Sequence, residues 1–270
     1  MRIQHNIMAM NANRNLTMNN SKLSKNLEKL SSGYRINRAG DDAAGLAISE
    51  SMRADIAIYG QAINNANDGI SLVQTAEGAL TEVHDMLNRM ETLATQAAND
   101  TYTTNDRAKI QLEITALQGE MTRIMNDTKF NGIELFKGGL SADIVVANQG
   151  TAINVAIDDS LATTLGDAAN LSVAGDGEAA ATAMDQIKTA IDAVSLVRAN
   201  LGAVQNRMEH TVNNLGVTME NLQSAESQIR DTNVADEMMA YTKNNILIQS
   251  AQAMLAQANQ VPQGVLQLMQ

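Results

Sequence analysis

Cysteine and tryptophan are absent from the 270 residues, Phe130 and Phe136 are the only phenylalanines, and Pro262 is the only proline. The missing thiols exclude a disulfide framework, thiolate metal sites and cysteine nucleophiles in one step. The scarcity of rings denies a thick globular core its usual bulky fillers. Ala, Asn, Gln, Leu, Ile and Met dominate instead, and that vocabulary favours thin bundles of long helices.

Histidine is equally sparse. His5, His84 and His210 stand far apart, and no H-E-x-x-H pair, metal-spaced cluster, Walker loop or Rossmann glycine pattern occurs. The adjacent carboxylates Asp41 and Asp42 follow Gly40 and precede a helical stretch. Capping and dipole complementation at a helix start account for them better than acid-base chemistry does. The chain is therefore read as non-enzymatic, without metal or cofactor.

Basic charge is confined. The formal net charge is −11, residues 1–34 carry five Lys/Arg against Glu28 alone, and residues 244–270 carry no charged side chain, which leaves −15 on residues 35–243. An acidic middle argues against nucleic-acid binding, which needs a basic face for phosphate contacts. Gln4, His5, Asn6 and Asn11 interrupt the opening residues, so no cleavable secretory signal is expected. The charge-free stretch 244–270 contains ten Asn/Gln, too many amides for hydrocarbon, and membrane insertion is not expected.

What the sequence does contain is helical periodicity. Ile56, Tyr59, Ile63, Ala66, Ile70, Val73, Ala76, Leu80, Val83, Leu87, Met90, Ala94 and Ala97 recur at gaps of three and four with one slip. At about 1.5 Å per residue this stripe alone spans roughly 60 Å, so it needs helical partners to cover it. Ile110, Ile114, Leu117, Met121 and Ile124 form a shorter stripe, and Ala190 through Leu222 form a second long one. Three helices can share one seam.

Between them, Phe130-Asn131-Gly132-Ile133 reads as a turn. Ile144 and Val146 alternate against Ile153, Val155 and Ile157 around Asn148-Gln149-Gly150 as a hairpin. Residues 158–180, rich in Ala, Asp, Gly, Ser and Thr and without a convincing period, read as a surface connection or minimal insert. The fold class expected is mainly α, a long coiled-coil helical bundle with a small β-hairpin region.

The two ends form a separate pair of stripes. Leu16, Leu23, Leu27, Leu30 and Tyr34 lie on one heptad track, and Leu247, Ala251, Met254, Ala258, Val261, Val265 and Leu268 lie on another. Pro262 falls inside the second track, where the helix is expected either to kink or to end. Large apolar side chains are few in the last 27 residues, too few for one partner helix to offset the entropy of ordering them. These ends are expected to become ordered when neighbouring subunits cover their other faces.

Residues 29–49, KLSSGYRINRAGDDAAGLAIS, resemble the N-terminal signature of bacterial flagellins. The resemblance continues through NDGISLVQTAEGAL (67–80) and FNG (130–132). It resumes with LGAVQNRMEHTVNNL (201–215), SAESQIRDTNVADEM (224–238) and TKNNILIQSAQAMLAQANQVPQGVLQLM (242–269). Only about 138–190 lacks a counterpart, so the chain resembles a short form with minimal outer variable domains.

The resemblance implies an inner, tube-forming terminal domain built from residues 1–43 and 234–270. It implies an outer helical domain from 44–180, with hairpin and insert, and 181–233. It further implies self-polymerisation into a helical filament for motility through the terminal tracks, export by the flagellar type III system without signal cleavage, and an extracellular location. The partners implied are an export chaperone that binds the C-terminal segment, and the filament cap and hook-filament junction proteins. A helical patch detected by a Toll-like receptor of animal hosts in some family members maps onto residues 88–95, with Arg89, Leu93 and, on the following helix, Glu113 matching the pattern. Glu91 and Thr92 depart from it, standing where strong agonists carry a basic and an acidic residue.

Two rival functions remain distinct from a filament subunit. A hook-filament junction protein of the same superfamily is the nearer one, although those diverge from the LGAVQNRMEHTVNNL and SAQAMLAQANQ segments kept here. A coiled-coil adaptor that does not polymerise is the rival from another class.

Overall fold

A computed structural model describes residues 6–146, 150–174 and 177–268. The chain is mainly α. Its elements, in order, are α1 (Ile7–Ser32), α2 (Ala43–Ala97), α3 (Thr104–Asp127), β1 (Lys129–Phe130), β2 (Ile133–Glu134), β3 (Leu140–Val145), β4 (Ala152–Ile157), α4 (Asp159–Ala168), α5 (Gly177–Arg230) and α6 (Val234–Leu268). The chain divides into a terminal unit, residues 1–56 with 220–270, and a central unit, residues 57–219.

Short polar side chains start the helices. Asn6 accepts the Ala9 N–H at 3.1 Å, Thr103 accepts the Asp106 N–H at 3.3 Å, and Asp158 accepts the Ser160 N–H at 3.0 Å. Each satisfies one of the donors that a helix start leaves open. Gly33 ends α1 at φ 76°, donating its N–H to Lys29 O at 2.9 Å, a left-handed cap that a residue with a Cβ adopts only under strain.

The central unit is built on the α2 stripe. Ala66, Val73, Ala76, Leu80, Val83, Leu87, Met90, Ala94 and Ala97 are all fully buried, as are Ile114 of α3 and Ala190, Val194 and Met208 of α5. These faces form one continuous hydrophobic core, so the seam shared by three helices, legible in the periodicity, is observed. Where α2 ends, the buried Arg107 donates from Nε to Ala97 O at 2.8 Å, satisfying a carbonyl that has no later turn to bond.

The first turn forms as read, and the strands of the second hairpin pair. β1 and β2 pair antiparallel across Asn131 (φ 49°) and Gly132 (φ 82°), the primed-turn backbone that Asn-Gly favours. β3 and β4 pair with Ile144 opposite Ile153 and Leu140 opposite Ile157. Of the hairpin tip, Asn148 and Gln149 lie outside the described residues.

Residues 158–180 correct the sequence reading. They include α4, whose Leu161, Leu165 and Ala168 are buried, followed by buried Leu171 and Val173. Two glutamines of α3 fix this segment from the core side. Gln118 Nε2 donates to Ala168 O and Leu171 O, both at 3.1 Å, and Gln111 Oε1 accepts the Val173 N–H at 2.6 Å. The segment is part of the fold: its apolar side chains enter the core, and side-chain amides of α3 satisfy backbone groups of Ala168, Leu171 and Val173.

Candidate functional site

The site is the antiparallel pair α1 and α6. Asn6 Nδ2 donates to Ala258 O at 2.7 Å at one end of the pair, and Thr232 N–H donates to Gly33 O at 2.9 Å at the other. On α1 the half-buried positions Ala9, Ala12, Leu16, Asn19, Leu23, Asn26 and Leu30 form one track, with Glu28 and Lys29 half-buried beside it. On α6 the inward track is Glu237, Tyr241, Asn244, Ile248, Ala251, Leu255 and Ala258, with Ala240 half-buried beside it. Both sets alternate gaps of three and four, which is a coiled-coil seam.

This seam differs in part from the two tracks read from sequence. Leu16, Leu23, Leu30, Ala251 and Ala258 lie on it. Leu27, Tyr34, Leu247, Met254 and Val261 do not, being 55, 41, 40, 62 and 44 % exposed. α6 runs through Pro262 to Leu268; Val265 and Leu268 belong to it, but their side chains lie outside those described. The places expected of leucines are taken partly by amides. With its nitrogen directed to Glu237, Asn26 donates to Glu237 Oε1 at 3.1 Å and accepts from Asn244 Nδ2 at 3.1 Å. A heptad count that includes Asn19, Asn26 and Asn244 would have found the register.

The pair leaves most of its apolar surface uncovered. No residue of α1 is buried, and among the described side chains of α6 only Ile248 is. Ile7, Met8, Met10 and Met18 on α1 and Met238, Met239, Ile246 and Met254 on α6 stand 49–67 % exposed. Exposed large apolar side chains thus occur on both helices of the pair. Charge is arranged to match. Lys/Arg and Asp/Glu balance at ten each in residues 1–56 and 220–270, whereas residues 57–219 hold nine against twenty, the whole of the −11. A neutral unit can be packed among copies of itself without accumulating repulsion.

The loop from α1 into α2 is held by its two carboxylates. Asp42 Oδ1 accepts the Gly45 N–H at 2.9 Å and so caps α2. Asp41 Oδ2 accepts the Arg38 and Asn37 N–H groups at 3.1 and 3.3 Å. The Arg38 N–H, the Asn37 N–H and the nearby Lys25 and Lys29 hold the Asp41 carboxyl below its ordinary range. A Cβ on Gly45 would lie 2.5 Å from Asp42 Oδ2 and 2.9 Å from Ile36 Cδ1, so a larger residue there must displace the capping carboxylate or Ile36.

In the central unit, Arg89 Nη2 is 2.7 Å from Glu113 Oε1 on the surface, joining α2 to α3. Leu93, grouped with them from sequence, is 3 % exposed and belongs to the core. Only Arg89 and Glu113 of the three therefore face solvent. Among the described residues no group of three His, Cys, Asp or Glu side chains could hold a metal ion, and no helix is long and apolar enough to cross a membrane.

Comparison with known proteins assigns the arrangement to a family. The family model for the bacterial flagellin N-terminal helical region matches residues 3–140, and that for the C-terminal helical region matches residues 184–269. The chain is 49 % identical to a flagellin of Bacillus subtilis over 305 aligned residues, covering 100 % of both chains. It is 50 % identical to a flagellin of Halalkalibacterium halodurans, covering 99 % of each. Its fold is similar to the crystal structure of a Bacillus cereus flagellin at a TM-score of 0.50 and 29 % identity, over 56 % of this chain and 88 % of that one. Matched at both ends and along its full length, the chain belongs to the bacterial flagellins, the non-enzymatic structural subunits that polymerise into the extracellular flagellar filament.

Proposed function

We propose that α1 and α6 form the inner tube-building part of the filament subunit, that they are marginally ordered in the free subunit, and that assembly fixes them. The observation that carries this reading is the burial pattern: no residue of α1 and one described side chain of α6 are buried, while twelve large apolar side chains of the pair are exposed. A helix pair with so little buried area gains little over the entropy of ordering it. Neighbouring copies supply the missing cover. Leu27, Leu247, Met254 and Val261 then act between subunits, and Leu16, Leu23, Leu30, Ala251 and Ala258 act within the pair.

The finer roles follow from family membership. The subunit leaves the cell through the flagellar type III system, with its C-terminal segment held by an export chaperone, and meets the cap and hook-filament junction proteins at the two ends of the filament. The Arg89–Glu113 pair is the part of the receptor patch that a host Toll-like receptor can reach.

The test is seeded growth. Purified full-length subunit mixed with sheared filaments of the same protein is expected to sediment as lengthened filament, and its α1 and α6 amides to gain protection on joining. A chain lacking residues 261–270 is expected to stay soluble and helical and to remain in the supernatant. Failure of the intact subunit to elongate seeds would favour a coiled-coil adaptor. Protected, slowly exchanging ends in a dilute monomer would overturn the coupling of order to assembly.

A further inference from the structure

Among the described side chains, every exposed methionine lies in the terminal unit. In residues 57–219, Met90, Met121 and Met208 are closed off at 0–1 % exposure and none of the others is exposed. In the terminal unit Met8, Met10, Met18, Met238, Met239 and Met254 stand 49–67 % exposed, and every one of them lies on α1 or α6. Met238 and Met239 line a shallow apolar groove with Thr242, Lys243, Ile246 and Leu247. The thioethers thus sit on the faces that the proposed function assigns to contact between subunits. On that reading they face water only before a subunit joins.

We propose that these six methionines form an oxidation site that decides whether a free subunit can join a filament. The oxidant is of the peroxide class. The thioether sulfur attacks one oxygen of hydrogen peroxide, the O–O bond breaks, the S–O bond of the sulfoxide forms, and the proton on the transferred oxygen passes to the departing hydroxide, which leaves as water; the sulfur loses two electrons and the peroxide gains them. The product is polar and chiral where the thioether was flexible and apolar. Packed against a neighbouring copy without a hydrogen-bond donor, it carries the desolvation cost of an unpaired polar group. The soft, unbranched side chain that adapts to several neighbours is thereby also the one an oxidant can switch off. Subunits already in the filament are shielded, because assembly covers the same faces. Met90, Met121 and Met208 are shielded in both states.

This inference rests on the proposed assembly role of α1 and α6, and the experiment separates the two. Full-length monomer is treated with graded hydrogen peroxide, mapped by peptide mass spectrometry and mixed with filament seeds. Expected are sulfoxides at the six terminal positions before any at Met90, Met121 or Met208, and elongation weakened by about tenfold for each sulfoxide left unpaired in the interface. In a partly oxidised sample, sulfoxide should be depleted from the pellet and enriched in the supernatant at those positions. Peroxide-treated filaments should show little sulfoxide there. A variant with all six changed to Leu should elongate before and after treatment; should it fail to elongate untreated, the partition of partly oxidised wild type decides alone. Untreated wild type that does not elongate overturns the assembly reading. Untreated and oxidised wild type that elongate equally, with equal sulfoxide in pellet and supernatant, overturn the oxidation site and leave assembly standing.

Discussion

The guanidinium of Arg230 lies 4.7 Å from the centroid of the Tyr34 ring. The contact closes the place where the chain leaves α1 and α5. Arg35 N–H donates to Arg230 O at 2.6 Å, Tyr34 and Asp231 form an antiparallel bridge, and Arg230 Nη1 is 3.0 Å from Glu50 Oε1 on α2. Tyr34 is thus a fastening of the terminal unit and not a heptad position of α1. Tyr34→Phe keeps the ring face and is expected to leave stability unchanged. Tyr34→Ala is expected to cost about 0.5–1 kcal/mol, read as a lower midpoint in thermal unfolding of the terminal unit. Equal midpoints for the two variants would mean that the ring contributes nothing to holding Arg230.

Neighbouring positions on α6 separate the two kinds of contact. Ile248 is 7 % exposed on the seam with α1, and Met254 is 62 % exposed on the outer face. Ile248→Ala is expected to weaken the pair itself by about 2 kcal/mol, lowering both the helicity of the free subunit and the heat stability of filaments. Met254→Lys places a charge on the joining face, where burial penalises it. Its expected result is unchanged circular dichroism of the subunit with filament growth abolished. A loss of subunit helicity in Met254→Lys would place that residue inside the pair.

The difference between these two residues also marks how far the sequence can be read. The α2 stripe was legible because nine of its positions are buried against one core, so hydropathy and burial have one period. On α6 two tracks are apolar, and only one meets α1. A helix that touches several neighbours is greasy on more than one face, and composition alone cannot say which face its own chain covers. α4 is illegible for a different reason: three buried positions, Leu161, Leu165 and Ala168, are too short a stripe to register in a segment of small polar residues. Gln111 and Gln118, which hold that segment, look like surface amides of α3 until the backbone N–H and carbonyl groups they satisfy are seen.

Acid is expected to loosen the loop between α1 and α2. Hydrogen bonds from Arg38 and Asn37 N–H favour the charged form of Asp41 and hold its pKa below the ordinary 3.8. Because the folded value lies below the unfolded one, the contribution to stability is complete above the unfolded value and is lost as pH falls through the folded value. An NMR titration should place the Asp41 midpoint below 3.8. Asp41→Asn should remove that part of the acid dependence of the terminal unit. A midpoint at or above the ordinary value would show that the loop does not depend on the ionised form.

Two glycines of α2 give opposite expectations within the central unit. A Cβ on Gly69 would lie 3.0 Å from Met208 Sδ and 3.1 Å from Ile144 Cγ1, whereas one on Gly78 would meet nothing within 4 Å. Alanine at an open helix position restricts the unfolded chain and is expected to stabilise by about 0.5–1 kcal/mol in Gly78→Ala. In Gly69→Ala the same gain is opposed by overpacking, which costs about 1–3 kcal/mol when a core side chain must shift. Met208 can turn its flexible end aside, but Ile144 is held in the β3–β4 register opposite Ile153, so the net effect is expected to be destabilising. Urea unfolding of the two variants should move the midpoint in opposite directions, with the double variant near the sum because the sites lie more than two turns apart on the helix. A rise in both midpoints would mean that the hairpin yields to α2, and that the close approach at Gly69 is not what sets its position.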